Sequence, residues 1–331
     1  MEQIREQFGS IDGNIVDLYK LINNHGTSIS ILSYGAAWHE WWFDGQNILL
    51  TGESIEDYVG YSLNKIIGRT SGRTAHGQFY IHNKKVNIPI NASPNAIHGG
   101  RFGFSNQFFD LKFFDQDAIK ATYMAREAVD GYPGNLLVEV IYRLKNDNTV
   151  TIEISGTQSL RDGVFNPTSH TFFNLNDSSS LELANHDLLV SSDMIAVNNQ
   201  NGSYSEIKKL SGKDLKNFSK GKDIETVLKN IDGNGLDDAY VFDCQNDFRA
   251  SLRNKRTGLN LSLFGDTNAL VVYTANAFNC SQKFTRGEGK PWMGVALESQ
   301  MIPNSENTKI DNVVIHNGET VSRQIIYKLT R

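Results

Sequence analysis

Apolar and polar residues alternate with a period of two over much of the chain. The pattern is cleanest in Val138-Glu139-Val140-Ile141-Tyr142-Arg143-Leu144, Val150-Thr151-Ile152-Glu153-Ile154 and Leu259-Asn260-Leu261-Ser262-Leu263. Successive side chains of a strand point to opposite faces, so each run predicts a strand buried on one side. Asp44-Gly45, His82-Asn83-Lys84-Lys85, Asn146-Asp147-Asn148 and Asn317-Gly318 divide such runs with residues that suit tight turns, and so predict hairpins. Helical signals are confined to short stretches. Ser54 precedes Ile55-Glu56-Asp57-Tyr58-Val59 with Asp57 at the capping-box position, and Asp223 opens Ile224-Glu225-Thr226-Val227-Leu228. No Pro-rich or Ser-rich linker, low-complexity tract or fixed-period repeat divides the chain. The expected fold is therefore all-β: a large antiparallel β-sandwich, a single domain over residues 1–331 with few short helices, in which two twisted sheets cover each other's apolar faces.

A chain of 331 residues can bury a sizeable core. Its formal net charge is -5 and its Lys and Arg residues are scattered, which argues against nucleic acid or an anionic membrane as partner and for a neutral small molecule. Met1-Glu2-Gln3-Ile4-Arg5-Glu6-Gln7-Phe8 has no apolar signal region, and no later run is long enough to span a bilayer, so a cytoplasmic location is expected. Cys244 and Cys280 are the only cysteines and form no C-x-x-C pair; both are expected to be reduced and structural.

Candidate chemistry lies in separated segments. His170 sits in Asn166-Pro167-Thr168-Ser169-His170-Thr171-Phe172-Phe173-Asn174-Leu175, a polar knot inside strand-forming sequence. Imidazole both gives and takes protons near neutral pH, although a lone histidine among apolar residues is commonly a satisfied core residue. Glu298 interrupts the otherwise apolar Gly294-Val295-Ala296-Leu297-Glu298-Ser299-Gln300, where a carboxylate needs a partner or a task. Gly68-Arg69-Thr70-Ser71-Gly72-Arg73 presents guanidinium groups from a Gly-containing turn, and Asn95-Ala96-Ile97-His98-Gly99-Gly100 places a histidine before two glycines. Gly235-Leu236-Asp237-Asp238 carries carboxylates out of a turn into apolar sequence. Taken singly, each of the last three also reads as an ordinary surface turn.

Their order, together with Asp130-Gly131-Tyr132-Pro133-Gly134, resembles the galactose mutarotase (aldose 1-epimerase) family along nearly the whole chain. The resemblance implies a galactose mutarotase-like supersandwich that interconverts the anomers of a free aldohexose such as D-galactose or D-glucose. It implies Glu298 as base, His170 as acid, His98 assisting at the ring oxygen, and Arg73 and Asp237 holding sugar hydroxyls. Ring opening and reclosure need only an acid and a base, so no cofactor and no metal is expected. Proton transfer by this pair predicts a bell-shaped pH profile, with His170 protonated beside a carboxylate that raises its proton affinity. The chain departs from the pattern at Asp238, where many relatives have His, and at Val271, where some have Gln; Ala277-Phe278 replaces a single Phe. Trp38, Trp41, Trp42 and Trp292 are read as core or sheet-covering residues. Three rivals remain. A hexose-6-phosphate epimerase would use Arg101, a glycoside hydrolase would pair Asp237 with Glu298, and a binding or sensing module would keep the fold without turnover. The sequence leaves both monomer and homodimer open.

Overall fold

The computed structural model describes residues 1–177, 182–198, 204–232, 234–243, 246–308 and 312–331; Cys244 lies outside them. Strands dominate, and the pairings within the large sheets are antiparallel. A nine-stranded sheet runs in the order Asp110–Asp115, Ala118–Ala125, Asn135–Leu144, Thr149–Ser159, Thr320–Thr330, Asn260–Gly265, Phe248–Asn254, His186–Val190 and Lys222–Asp223. A six-stranded sheet runs Phe172–Phe173, Val295–Gln300, Ala269–Tyr273, Asp237–Val241, Met194–Asn198 and Tyr204–Lys209. A five-stranded meander, Glu2–Ile11 to Gln46–Asn47, completes the principal layers.

The period-two runs become strands of the nine-stranded sheet with one face fully buried and the other partly covered. Val138, Val140, Ile152, Ile154, Leu261 and Leu263 meet Leu270, Val272, Val295 and Leu297 of the six-stranded sheet in one core. Each such buried aliphatic side chain contributes about 1.5–3 kcal/mol relative to exposure. Trp38 and Trp41 stack in that core with ring centroids 5.0 Å apart, both out of reach of solvent. Trp42 and Trp292 are half-buried, and Trp292 packs against the main core.

Three of the four hairpin signals hold: Asp44-Gly45, His82-Asn83 and Asn146 to Asn148 join paired strands, whereas Asn317-Gly318 is a turn between Val314–Ile315 and Thr320–Thr330, which pair with other strands. Asp57 accepts from the Ser54 backbone N–H at 2.9 Å and starts a single 3-10 turn, while Asp223 caps the helix Ile224–Asn230 by accepting from Thr226 N at 2.7 Å. Glu127–Asp130 forms a short helix that the sequence did not announce, closed by Gly131 at φ 79°. Cys280 is exposed on a loop, which corrects its expected structural role. Among the described residues no helix is long and apolar enough to cross a membrane.

Within the six-stranded sheet Val295–Gln300 is buried on both faces, and this positions the site. Its Leu297 and Val295 face the core, so the period of two turns Ala296, Glu298 and Gln300 to the opposite face. On that face Glu298 lies beside Val271, and Ala296 beside both Tyr273 and Phe172. Asp237 pairs with Tyr273 one strand further on.

Candidate active site

A cleft of about 380 Å³ opens over this face, lined by residues that include Arg73, His98, His170, Asp237 and Glu298. The segments singled out in the sequence thus converge, although they are spread over more than two hundred positions. Each is delivered by a different device. The Thr168–Ser169 strand pairs with Ile66–Ile67, and His170 then accepts and donates backbone bonds with Asn64 and Lys65, which fixes its ring over the sheet. Its neighbours are Phe172, at a centroid distance of 4.9 Å, and Tyr273 at 6.0 Å.

His98 and the Gly-Arg turn lock together through their backbones. His98 N donates to Gly72 O at 2.9 Å, and Gly72 N donates to His98 Nδ1 at 3.3 Å. Since Nδ1 accepts, the proton of the neutral ring sits on Nε2. Gly99, at φ 89°, has no room for a side chain, because a Cβ there would stand 1.9 Å from Gly68 O. Burial and the neighbouring His170 and Arg73 push the His98 imidazole well below its ordinary value, so this ring is a neutral donor. It meets His170 edge to face at 5.1 Å.

His170 Nε2 approaches Glu298 Oε1 at 3.4 Å, with side chains 8% and 3% exposed. Burial lowers the imidazole to about 4, and burial followed by the charge of Asp237 raises the Glu298 carboxyl well above the usual range, against the pull of Arg73. This corrects the expected protonated His170 beside an ionised carboxylate. Burial favours the neutral form of each group. Gln300 Nε2 lies 3.5 Å from Glu298 Oε2 and supplies a second donor to it.

Arg73 Nη1 reaches Asp237 Oδ2 at 3.4 Å, and both side chains are about one-third exposed to the cleft. Asp238 takes no part: its Oδ1 accepts from Lys216 Nζ at 2.9 Å, on the other side of the strand. Val271 lines the cleft and offers no polar contact. Phe278 joins the aromatic wall by packing against Phe172 at 4.9 Å. Arg101 is exposed, lies over the Phe102 ring and is not among the lining residues. Tyr273 and Tyr204 also line the cleft and went unnoticed in the sequence. The alternation of Ala269 to Tyr273 puts Tyr273 and Val271 on one face, but only the register with Glu298 shows which face it is.

Arg69, by contrast, is structural. Its guanidinium grips Asp130 in a buried fork, Nε to Oδ2 at 2.7 Å and Nη2 to Oδ1 at 3.1 Å. Tyr132 completes the buttress by hydrogen bonding Thr70 through its hydroxyl at 2.9 Å. The Asp-Gly-Tyr-Pro-Gly element therefore supports the turn that carries Arg73.

The profile of the family described as Aldose 1-epimerase matches residues 17–328. An aldose 1-epimerase of Streptococcus thermophilus is 30% identical over 97% of this chain and 96% of its own. A maltose epimerase of Levilactobacillus brevis is 29% identical over the full length of both. The crystal structure of a galactose 1-epimerase from Lactobacillus acidophilus superposes with a TM-score of 0.86 at 25% identity, covering 99% of this chain and 98% of that one.

Proposed function

The chain belongs to the aldose 1-epimerase family of carbohydrate isomerases, and from that premise we propose that it interconverts the α and β anomers of free aldohexoses such as D-galactose and D-glucose, with Glu298 and His170 as its acid–base pair. The observation that carries this reading is the 3.4 Å approach of His170 to Glu298 inside the cleft. Glu298 takes the proton of the anomeric hydroxyl while His170 delivers one to the ring oxygen, and the ring C–O bond breaks. Rotation about the bond between the first two sugar carbons presents the other face of the aldehyde, and the two residues exchange roles on closing.

Burial of the pair sets its proton inventory. The resting arrangement, protonated Glu298 and neutral His170, holds one proton, and so does the reactive carboxylate–imidazolium arrangement. Substrate binding has only to move that proton across the gap. Sugar hydroxyls donating to Glu298, with Gln300, favour the ionised carboxylate and so drive the transfer. His98 Nε2–H then supplies a neutral donor on the ring-oxygen side.

The pair works with one proton, so a second proton at low pH or loss of the last at high pH stops it. Because burial moves His170 down to about 4 and Glu298 up, these two steps spread apart and belong to the pair as a whole. We expect kcat/KM to be bell-shaped with a plateau around neutrality. A rate that climbs continuously from pH 6 to 10 would show catalysis by hydroxide rather than by the pair.

Arg73 and Asp237 are assigned to sugar hydroxyls, since charged partners make the stronger hydrogen bonds. Arg73→Met is expected to raise KM about tenfold to a hundredfold with a smaller fall in kcat, the loss of one charged hydrogen bond worth ~1.5–3 kcal/mol. Initial rates across a substrate series check it; a fall confined to kcat would remove Arg73 from binding.

The full-length similarity to a maltose epimerase favours a second reading, in which the preferred substrate is a disaccharide with a free reducing end. Polarimetry of freshly dissolved α-D-galactose, α-D-glucose, β-maltose and glucose 6-phosphate decides. Acceleration of the free hexoses supports the first reading, and a clear preference for maltose selects the second. Preference for the phosphate would require a cation besides Arg73, which the cleft lining does not contain among the described residues.

A further inference from the structure

Outside the residues that line the cleft, three turns bring His82, Asp162 and His316 together. His82 Nε2 lies 2.7 Å from Asp162 Oδ2, and His316 Nδ1 lies 2.9 Å from the same oxygen. One ligand atom from each residue falls within 4.8 Å of the others, an arrangement found at no other place among the described residues. We propose that His82, Asp162 and His316 form a binding site for a divalent transition-metal ion of the zinc class.

The donor set suits that ion. Two imidazoles and one carboxylate are borderline ligands preferred by zinc and its neighbours, whereas calcium and magnesium favour oxygen alone. A tetrahedral ion with bonds of ~2.1 Å sets its ligand atoms about 3.4 Å apart. The two nitrogen–oxygen spacings, 2.7 and 2.9 Å, would open by about 0.5–0.7 Å, and the two imidazole nitrogens, within 4.8 Å of one another, would close by at most about 1.4 Å, movements that exposed rings make by rotation. Three protein ligands leave a fourth position for water, and His82 and Asp162 line a groove of about 610 Å³ that has room for it.

The site is also built rather than fortuitous in its backbone. Gly163 pairs with Ile315 and Val164 with Val314, so the short ladder sets Asp162 opposite His316. Asp162 Oδ1 accepts from Asn317 N at 2.8 Å, and Glu319 Oε2 accepts from His316 N at 2.7 Å; these bonds orient the carboxylate and hold the turn that carries His316. His82 comes from the tight hairpin between Gln78–Ile81 and Lys84–Asn87, where its positive φ of 48° aims it at the other two. Arg161, which also lines the groove, is engaged by Glu127 at 3.2 Å. A bound ion would cross-link this hairpin to the short ladder of Gly163–Val164 and Val314–Ile315, which makes the assigned role a structural one.

The test uses the tag-free full chain, stripped with a chelator and desalted, at neutral pH. Titration with zinc chloride is expected to give saturable heat with one ion per chain, and the Tm should rise by about 5 °C once zinc stands a hundredfold above its Kd. Cobalt(II) should give visible d–d absorption. All three responses should vanish in the His82→Gln/His316→Gln double variant, whose circular dichroism and sugar epimerisation rate in chelator should match the parent. Absence of saturable zinc binding overturns the proposal, and so does binding that persists unchanged in the double variant.

Discussion

Replacing Glu298 with glutamine is expected to lower kcat by about a thousandfold, within the hundredfold to ten-thousandfold range of a single positioned proton transfer. Glutamine keeps the shape and a hydrogen-bonding capacity but cannot take the anomeric proton, so KM should change little. His170→Asn should cost a similar factor, and the double variant little more than either, because two groups that pass one proton between them act as a unit. The same substitution carries a stability signature of defined sign. Burial raises the Glu298 carboxyl in the folded protein above its unfolded value, so the folded state holds this proton more tightly and stability falls as pH rises through the folded value. Glu298→Gln removes that cost. Its Tm should therefore exceed the parent's at pH 8, and the advantage should shrink toward pH 4.5. Activity lost together with a lower Tm at pH 8 would mean that Glu298 is a structural partner whose removal disrupts the cleft.

The second large effect concerns stability. Arg69 and Asp130 have side chains 0% and 4% exposed, and besides their mutual fork Arg69 donates to Pro133 O at 3.3 Å and to Ala125 O at 3.3 Å. Burial outweighs Arg69 and raises the Asp130 carboxyl, so the pair is costly to assemble and serves to specify the turn. Breaking it is costlier. Arg69→Met or Asp130→Asn leaves an unmatched buried group and is expected to destabilise the protein by about 3–5 kcal/mol in urea unfolding. Losses below ~1 kcal/mol would show that water or a neighbouring side chain reaches the orphaned group. The damage should extend to KM, because the Asp130 to Gly134 turn supports the backbone on which Arg73 rides.

Three strands of the nine-stranded sheet were legible because their two faces differ in burial: in Asn135–Leu144 buried and partly covered residues alternate without a break. Val295–Gln300 was harder, since all six of its residues are buried and its period is hidden. Only Glu298, polar in an apolar run, marked its second face. Strand order was not legible. Thr320–Thr330, at the end of the chain, inserts between Thr149–Ser159 and Asn260–Gly265, and such pairing has no local signature. The meander strand Glu2–Ile11 is largely exposed on both faces and gave no periodic signal.

In the site, the residues read from motifs were those whose chemistry contradicts their surroundings, His170 and Glu298 above all. Tyr273, Tyr204 and Phe278 are aromatic residues in apolar or loop sequence, and their contact with the cleft depends on register and loop path. Arg69 and Arg73 stand four residues apart in one turn with opposite fates, one buried against Asp130 and one facing the cleft. Their local sequence alone does not distinguish them; the family resemblance singled out Arg73. The protonation of the His170–Glu298 pair was also misjudged, because the desolvation that governs it arises only when the two sheets and the Gly-Arg turn close around it.

The most direct test of the acid–base account is proton NMR exchange between the α and β anomeric signals of D-glucose or D-galactose in deuterated buffer, with the parent protein and with Glu298→Gln. The predicted result is exchange accelerated by the parent, abolished in the variant, with no deuterium entering the sugar C–H positions, since only hydroxyl protons move. Acceleration that survives in a well-folded Glu298→Gln protein, or deuterium incorporation at carbon, would contradict ring opening by this pair.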